Sequence, residues 1–405
     1  MKRLLSAVLT AFLLLSLTAC GEPAVPAPEE PDPTEEQPIP APPPPTKEEL
    51  EALQIQEILD GMTLEEQVGQ LFFARCPAEN AVEDVSTYHL GGYILFGRDY
   101  KDDAGNWLTW DQFTGTINSY QAAAKIPLLI GTDEEGGTVA RASRNPNLFS
   151  RKARSPQQLE REGHEHGDRF LEDAWEKNGQ LHSLGINVNL APVADVSTDP
   201  ADFIYDRTIG KDAEGTADYV RRVVTGMQDT GVGSVLKHFP GYGNNVDTHT
   251  GIAVDNRPLE QFRSSDFLPF LAGMEAGGRT TAVLVSHNIM TCVDGQLPAS
   301  LSPAVHTLLR EELGFSGVVM TDDLAMDAVA AYAGDGAVAV MAFAAGNDII
   351  LTSDYRTQIP KMVEAFQNGT LDPLKLQASC RRILEWKQAL GLMEPVETTD
   401  EGPDF

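Results

Sequence analysis

The densest run of chemically competent side chains is Lys237-His238-Phe239-Pro240-Gly241-Tyr242-Gly243-Asn244-Asn245-Val246-Asp247-Thr248-His249. Lys237 and His238 follow a short apolar stretch, and a Pro/Gly-rich segment of low helical propensity then carries Asp247 and His249 two residues apart. On a loop, that spacing lets the carboxylate accept a proton from one ring nitrogen while the other faces outward, which fixes the tautomer of a general acid/base. A histidine satisfied by its own turn is the plainer reading of His249. The second candidate is Asp322-Asp323, at the end of the apolar run 317–320. A carboxylate there is a nucleophile, a metal ligand or the cap of the next helix. Two successive aspartates allow Asp322 to point into a pocket while Asp323 caps a helix beginning at Leu324.

The elements that hold these residues follow from hydrophobic pattern. Thr63 and Glu66 form a capping box for a helix, and 47–61 is charged with helical period. The chain then alternates amphipathic stretches with eight apolar runs, 71–74, 92–96, 126–131, 186–193, 233–236, 282–285, 317–320 and 348–351. Continuous rather than alternating hydrophobicity marks strands covered on both faces, as parallel strands are. The residues after the runs are polar every time: Arg75, Arg98-Asp99, Asp133-Glu134-Glu135, Asp195, Lys237-His238, Ser286-His287, Thr321-Asp322-Asp323 and Ser353-Asp354. An open doubly wound sheet would gather such residues beside one switch point. A ring of them predicts an α/β fold of the (β/α)8 TIM type, a single catalytic domain with a polar pocket at the carboxyl ends of its strands.

The motifs MTLEEQVGQL, DEEGGTVAR (133–141), NLAPVADV (189–196), DRTIG (206–210), KHFPGYG with DTH, and GVVMTDDLAMDA (317–328) occur in one order. Together they resemble glycoside hydrolase family 3, and more narrowly its one-domain β-N-acetylhexosaminidase branch. The resemblance implies that Asp322 is the nucleophile, His249 the acid/base and Asp247 the residue that orients it. It further implies that Asp133, Arg141, Arg207, Lys237 and His238 hold the sugar hydroxyls and acetamido group, with His287 in a pocket-wall or supporting role. Tyr242 stands where histidine is common in the family, and Ile209 where phenylalanine is usual. The implied activity is a retaining exo-β-N-acetylglucosaminidase acting on amino-sugar oligosaccharides or muropeptides, without cofactor or metal. A β-N-acetylglucosaminide phosphorylase or a β-glucosidase of the same family is the nearest alternative. A catalytically inactive sugar-binding lipoprotein is the alternative of another class.

The amino terminus gives an address. Lys2 and Arg3 precede an apolar run from Leu4 to Leu17 that is too short to span a bilayer and has the layout of a signal peptide. Leu17-Thr18-Ala19-Cys20-Gly21 resembles the bacterial lipobox, which implies a diacylated Cys20 and an extracytoplasmic protein held to the cell membrane by that anchor alone. Residues 1–20 are thus read as a lipoprotein signal peptide and 21–46 as a disordered Pro/Glu-rich linker. The barrel is placed at 47–392 and an acidic tail at 393–405, with no room for a second α/β domain. The expected state is a monomer.

The chain of 405 residues carries 60 acidic against 30 basic side chains, a net −30, which disfavours nucleic acid and anionic lipid faces as partners. Cys76, Cys292 and Cys380 lack CxxC spacing and read as mostly buried thiols. His164 and His166 sit two apart in 160–177, which reads as helix, so they face different directions and do not share a metal. Gly241 and Gly243 make only a bare GxG, a weak nucleotide signal. Gly136-Gly137 reads as a place where the backbone approaches a sugar.

Overall fold

The computed structural model describes residues 45–163, 167–245, 253–326, 329, 332 and 337–396. Its strands are β1 Phe72–Arg75, β2 Gly92–Leu95, β3 Leu129–Thr132, β4 Val188–Asn189, β5 Gly233–Phe239, β6 Val254–Asp255, β7 Thr281–Val285, β8 Ile289–Met290, β9 Val319–Thr321 and β10 Ile350–Thr352. Eight of them form one parallel sheet in the order β10-β1-β2-β3-β4-β5-β7-β9. A parallel bridge between Met320 and Ile349 joins the two ends of that sheet and closes it. The fold is the (β/α)8 barrel, and each of the eight apolar runs contributes one strand.

Burial explains the pattern of those runs, since the strands are covered by helices outside and by each other's side chains inside. Phe73 fills the barrel interior, and its ring lies where a Cβ on Gly131 would stand, 2.4 Å away. The absence of a side chain at Gly131 on β3 thus makes room for the large Phe73 on β1, as dense packing of the interior requires. β3 starts three residues later than its apolar run because Pro127 lacks a ladder donor. β5 runs past its apolar run. It keeps Lys237 and His238 within the strand, since Ala194 donates to the Lys237 carbonyl at 2.7 Å and Phe239 pairs with Val285. β6 and β8 form a small parallel ribbon outside the barrel, too short for periodicity to announce.

Both capping boxes at the start of the fold, Thr46 with Glu49 and Thr63 with Glu66, are made. Helix Lys47–Asp60 is joined to the last helix, Pro373–Ala389, by a hydrogen bond from Gln388 to Gln54 of 3.1 Å. The stretch 160–177 is not one helix. Gly163, at φ 74°, ends helix Pro156–Glu162, and Asp168 caps a new one at Arg169–Ser183; His164 and His166 lie outside the described residues. Cys76 and Cys380 are buried and Cys292 is exposed.

Lys387, on the last helix, is fully buried, and its Nζ donates to Gln70 Oε1 at 2.7 Å. Burial, offset only slightly by Cys380, pushes this amine down to about 7. An unfolded lysine keeps its proton to about pH 10.4. Between those values the unfolded chain binds more protons, so stability rises with pH across this window. Replacing Lys387 with Met should raise the thermal midpoint at pH 7. It should also remove a slope of up to about 1.4 kcal/mol per pH unit between pH 7 and 10, measured by denaturant unfolding of both proteins at several pH values.

Candidate active site

The carboxyl ends of β3, β4 and β5 carry a continuous charged network. Lys237 Nζ, on β5, lies 2.7 Å from Asp133 Oδ1 and 2.6 Å from Glu135 Oε1, both in the segment that leaves β3. Arg207 reaches Glu135 with two parallel bonds, Nε to Oε2 at 3.0 Å and a terminal nitrogen to Oε1 at 2.8 Å. That same terminal nitrogen lies 3.1 Å from His238 Nε2. On the far side of the ring, His238 Nδ1 is 2.7 Å from Asp195 Oδ2. Asp195, at the end of the β4 segment, also accepts the backbone N–H groups of His238 and Tyr242.

These contacts assign His238 its tautomer. Asp195 accepts the Nδ1 proton, so Nε2 carries the lone pair that faces the Arg207 donor. Glu135 is fully enclosed; burial alone would raise its carboxyl, but the charges of Arg207 and Lys237 outweigh that and hold it well below the usual range. Burial lowers Arg207 and Lys237, and the carboxylates around them more than restore the protonated form, so both end above their ordinary values. Asp133 keeps more exposure than Glu135, 15% against 2% of the side chain, and its second oxygen lies 4.0 Å from Arg141. Asp133, Lys237 and Arg141 together place an acceptor and two donors beside the carboxyl ends of β3 and β5, a set suited to neighbouring hydroxyls.

Across the barrel, Asp322 follows β9 and is half-buried. Its N–H donates to the Val285 carbonyl at 3.0 Å, and its Oδ1 accepts the Asp323 N–H at 2.8 Å. His287 supports this turn from β7, with Nε2 3.0 Å from the Asp323 carbonyl and Nδ1 2.7 Å from Ser300 Oγ. Asp323 does not start a helix at Leu324; its carboxylate accepts the Ala325 N–H at 2.9 Å and closes a tight turn over the described residues 324–326. Burial, and after it the charge of Asp322, pushes Asp323 upward.

The loop after β5 is held at its stems. Arg257 binds Asp255 and Asp266 and donates to the Gly241 carbonyl at 3.2 Å, while Asn245 donates to Asp255 Oδ2 at 2.6 Å. Gly241 and Gly243 have positive φ, and a Cβ on them would stand 2.5 Å from Asp266 and Arg257 respectively. The GxG is therefore a packing requirement. Gly136 also has positive φ and packs closely, since its Cβ would meet the Arg154 carbonyl at 1.9 Å. Asp247 and His249 lie outside the described residues, as does Cys20.

The structure thus brings Asp133, Arg141, Arg207, Lys237 and His238 together at neighbouring strand ends. It adds Glu135 and Asp195, which the sequence showed as polar strand-end residues without assigning them a part. The Arg257 cluster had no sequence signal beyond a lone arginine among acids.

A closed parallel barrel with paired, buried charges at its carboxyl ends and a tethered aspartate opposite defines a barrel enzyme built to hold a hydroxyl-rich ligand. Comparisons with known proteins make this specific. Residues 63–386 match the glycosyl hydrolase family 3 N-terminal domain. A beta-hexosaminidase of Tolumonas auensis is 32% identical over 283 residues, 69% of this chain and 80% of the relative. A solved family 3 β-N-acetylglucosaminidase from Paenibacillus superposes with a TM-score of 0.74 at 30% identity, over 84% of this chain and 65% of that longer one. A β-N-acetylhexosaminidase from Beutenbergia cavernae gives 0.69 at 29% identity, over 81% and 99%. The chain belongs to glycosyl hydrolase family 3 and is a glycoside hydrolase.

Asp195 is the acceptor for three donors, and asparagine in its place turns a donor toward one of them. With a hydrogen bond to a charged group contributing about 1.5–3 kcal/mol, Asp195→Asn should lower kcat/KM by roughly one to two orders of magnitude. Steady-state kinetics beside a thermal melt would check this, and a variant with wild-type kinetics would refute the tautomer assignment.

Proposed function

We propose that the protein is a lipid-anchored, retaining exo-β-N-acetylglucosaminidase that removes terminal β-linked N-acetylglucosamine, with peptidoglycan fragments as its natural substrates. The observation that carries this reading is the placement of the Asp133–Lys237–Arg207–His238 network and Asp322 at strand ends of one barrel. The names of the similar proteins support the choice of amino sugar. Asp133, Arg141, Arg207, Lys237 and His238 bind the sugar. Asp322 attacks the anomeric carbon; the bond from that carbon to the departing oxygen breaks, and His249, oriented by Asp247, delivers a proton to that oxygen. In the second half, His249 takes a proton from water, whose oxygen bonds to the same carbon as the ester to Asp322 opens. The anomeric configuration is retained.

Wild-type protein should release chromophore from an aryl β-N-acetylglucosaminide far faster than from the matched β-glucoside. Asp322→Ala should lose about three or more orders of magnitude with the sugar still bound. Repeating the assay in phosphate and resolving free sugar from sugar 1-phosphate distinguishes hydrolysis from phosphorolysis. Equal rates on both glycosides, or a fully active Asp322→Ala, would refute the assignment.

The address is tested separately. The protein made in its natural type of host should begin at a diacylated Cys20, seen as the mass of its amino-terminal peptide, and Cys20→Ala should pass from the membrane to the soluble fraction. An unmodified terminus elsewhere would overturn the anchor.

A further inference from the structure

The inward faces of the strands can be followed around the barrel. Leu236 points outward, because a Cβ on Gly273 of helix Phe267–Gly277 would meet its side chain at 2.6 Å. Lys237 beside it therefore points inward. Register carries that face across the sheet: Gly233 pairs with Val188, Val188 with Gly131, Gly131 with Ile94, and Ile94 with Arg75. Gly233 lies on the Lys237 side of β5, four residues earlier, so Arg75 faces inward too. Neighbouring strands of such a barrel are staggered by about one residue each, which brings Arg75 level with Asp133 and Lys237. In the other direction Leu236 pairs with Val283 and Val283 with Val319. Those three face outward, and Asp322, three residues past Val319, faces inward. The alternate strands β1, β3, β5 and β9 thus end on Arg75, Asp133, Lys237 and Asp322, one interior layer of four side chains.

Arg75 is the member of that layer whose donors are unspent. Its guanidinium lies over the ring of Phe96, 4.4 Å from the centroid, and Arg141 stands 5.9 Å from the same ring. Arg75 makes no hydrogen bond or ion pair with any described residue, and its Nε is buried without an acceptor. A cation–π contact offsets part of the cost of enclosing the charge but satisfies none of the N–H groups. We propose that Arg75 is a further substrate-binding residue, which donates to the hydroxymethyl oxygen of the terminal sugar and makes that group a specificity determinant. This rests on the reading of the site as an N-acetylglucosaminidase. A pyranose reaching from Asp322 at its anomeric carbon to Asp133 at its far hydroxyls turns one edge toward β1 and β2 and the other toward β4, β5 and β7. One edge of the sugar carries the acetamido group, whose N–H needs an acceptor. The other carries the ring oxygen and the hydroxymethyl group, which offer acceptors and an apolar methylene. The β1 and β2 side presents guanidinium donors and an aromatic face, so it fits the second edge, with the oxygen against Arg75 and the methylene against Phe96.

The test compares two donors in the full-length enzyme, 4-nitrophenyl N-acetyl-β-glucosaminide and its 6-deoxy analogue, which lacks only the hydroxyl in question. Wild-type protein should favour the 6-hydroxy donor in kcat/KM by roughly 10- to 100-fold, the range of a hydrogen bond from a charged group. Arg75→Met should lower the 6-hydroxy value about tenfold or more and leave the 6-deoxy value within about twofold, so that the preference collapses. Arg75→Lys, which keeps a cation beside Phe96, should keep part of the preference, and a thermal melt of each variant separates lost binding from lost folding. An equal fall on both donors would mean that Arg75 acts on Asp322 or on the frame rather than on the hydroxyl. An undiminished 6-hydroxy value, or a wild type without preference, would mean that the hydroxymethyl group lies elsewhere. Either result overturns the proposal. A wild-type protein inert toward both donors would instead overturn the functional reading beneath it.

Discussion

The ammonium of Lys237, 2% exposed and set between Asp133 and Glu135, constrains everything around it. Taking one such ion from water costs several kcal/mol, and that cost is offset only while both carboxylates stay in contact. The segment after β3 is thereby pinned to the end of β5. Each partner then makes a demand of its own. Glu135 has a second oxygen to satisfy and draws Arg207 from the β4 connection. Arg207 offers a donor to His238, and His238 needs Asp195 to hold its other nitrogen. Three strand ends and one long loop are coupled through a chain in which no group can be removed without orphaning the next.

Neighbouring residues act as scaffolding for that chain. Glu134 stands between Asp133 and Glu135 in sequence but turns the other way. It accepts the N–H groups of Arg141 and Ser143 and the Ser143 hydroxyl, and so fixes the turn that brings Arg141 back toward Asp133. Arg257 does the corresponding work after β5. It draws Gly241 toward Asp266 while Asp255 receives Asn245, so the segment carrying Asp247 and His249 leaves from one clasped stem and returns to the other. Fixing the stems removes part of the entropy that closing a free loop would cost. The glycines are used for close approach in both places, with Gly136 against the Arg154 carbonyl and Gly241 against Asp266.

Much of this was legible in the sequence, and for a physical reason. Parallel strands buried on both faces leave continuous apolar runs, so all eight barrel strands announced themselves, and their polar ends named Lys237, His238, Asp133 and Asp322 directly. The failures are equally specific. In the triplet Asp133-Glu134-Glu135, sequence cannot say which carboxylates share Lys237 and which turns to backbone N–H groups, because that depends on a turn of positive-φ glycines. Asp195 was visible as a strand end, but its partnership with His238 is a contact between β4 and β5 that no local spacing encodes. At 136–137 a conformational need, positive φ with the Arg154 carbonyl and Ser155 close by, selects the same residue that a ligand approach would, so residue type alone does not separate the two. The helix read through 160–177 failed at Gly163, where positive φ ended it.

The acidity of the chain turns out to say little about the pocket. With −30 overall, a field hostile to anions would be expected wherever charges are unpaired. At the site, however, Lys237 and Arg207 face Asp133 and Glu135, and the Asp195 charge is spent on His238 and two backbone donors. The remaining carboxylates, Asp322 and Asp323, differ in their surroundings: Asp322 is half-buried at the strand end, and burial pushes the Asp323 carboxyl up. A neutral sugar is then selected by where donors and acceptors stand rather than by a net field.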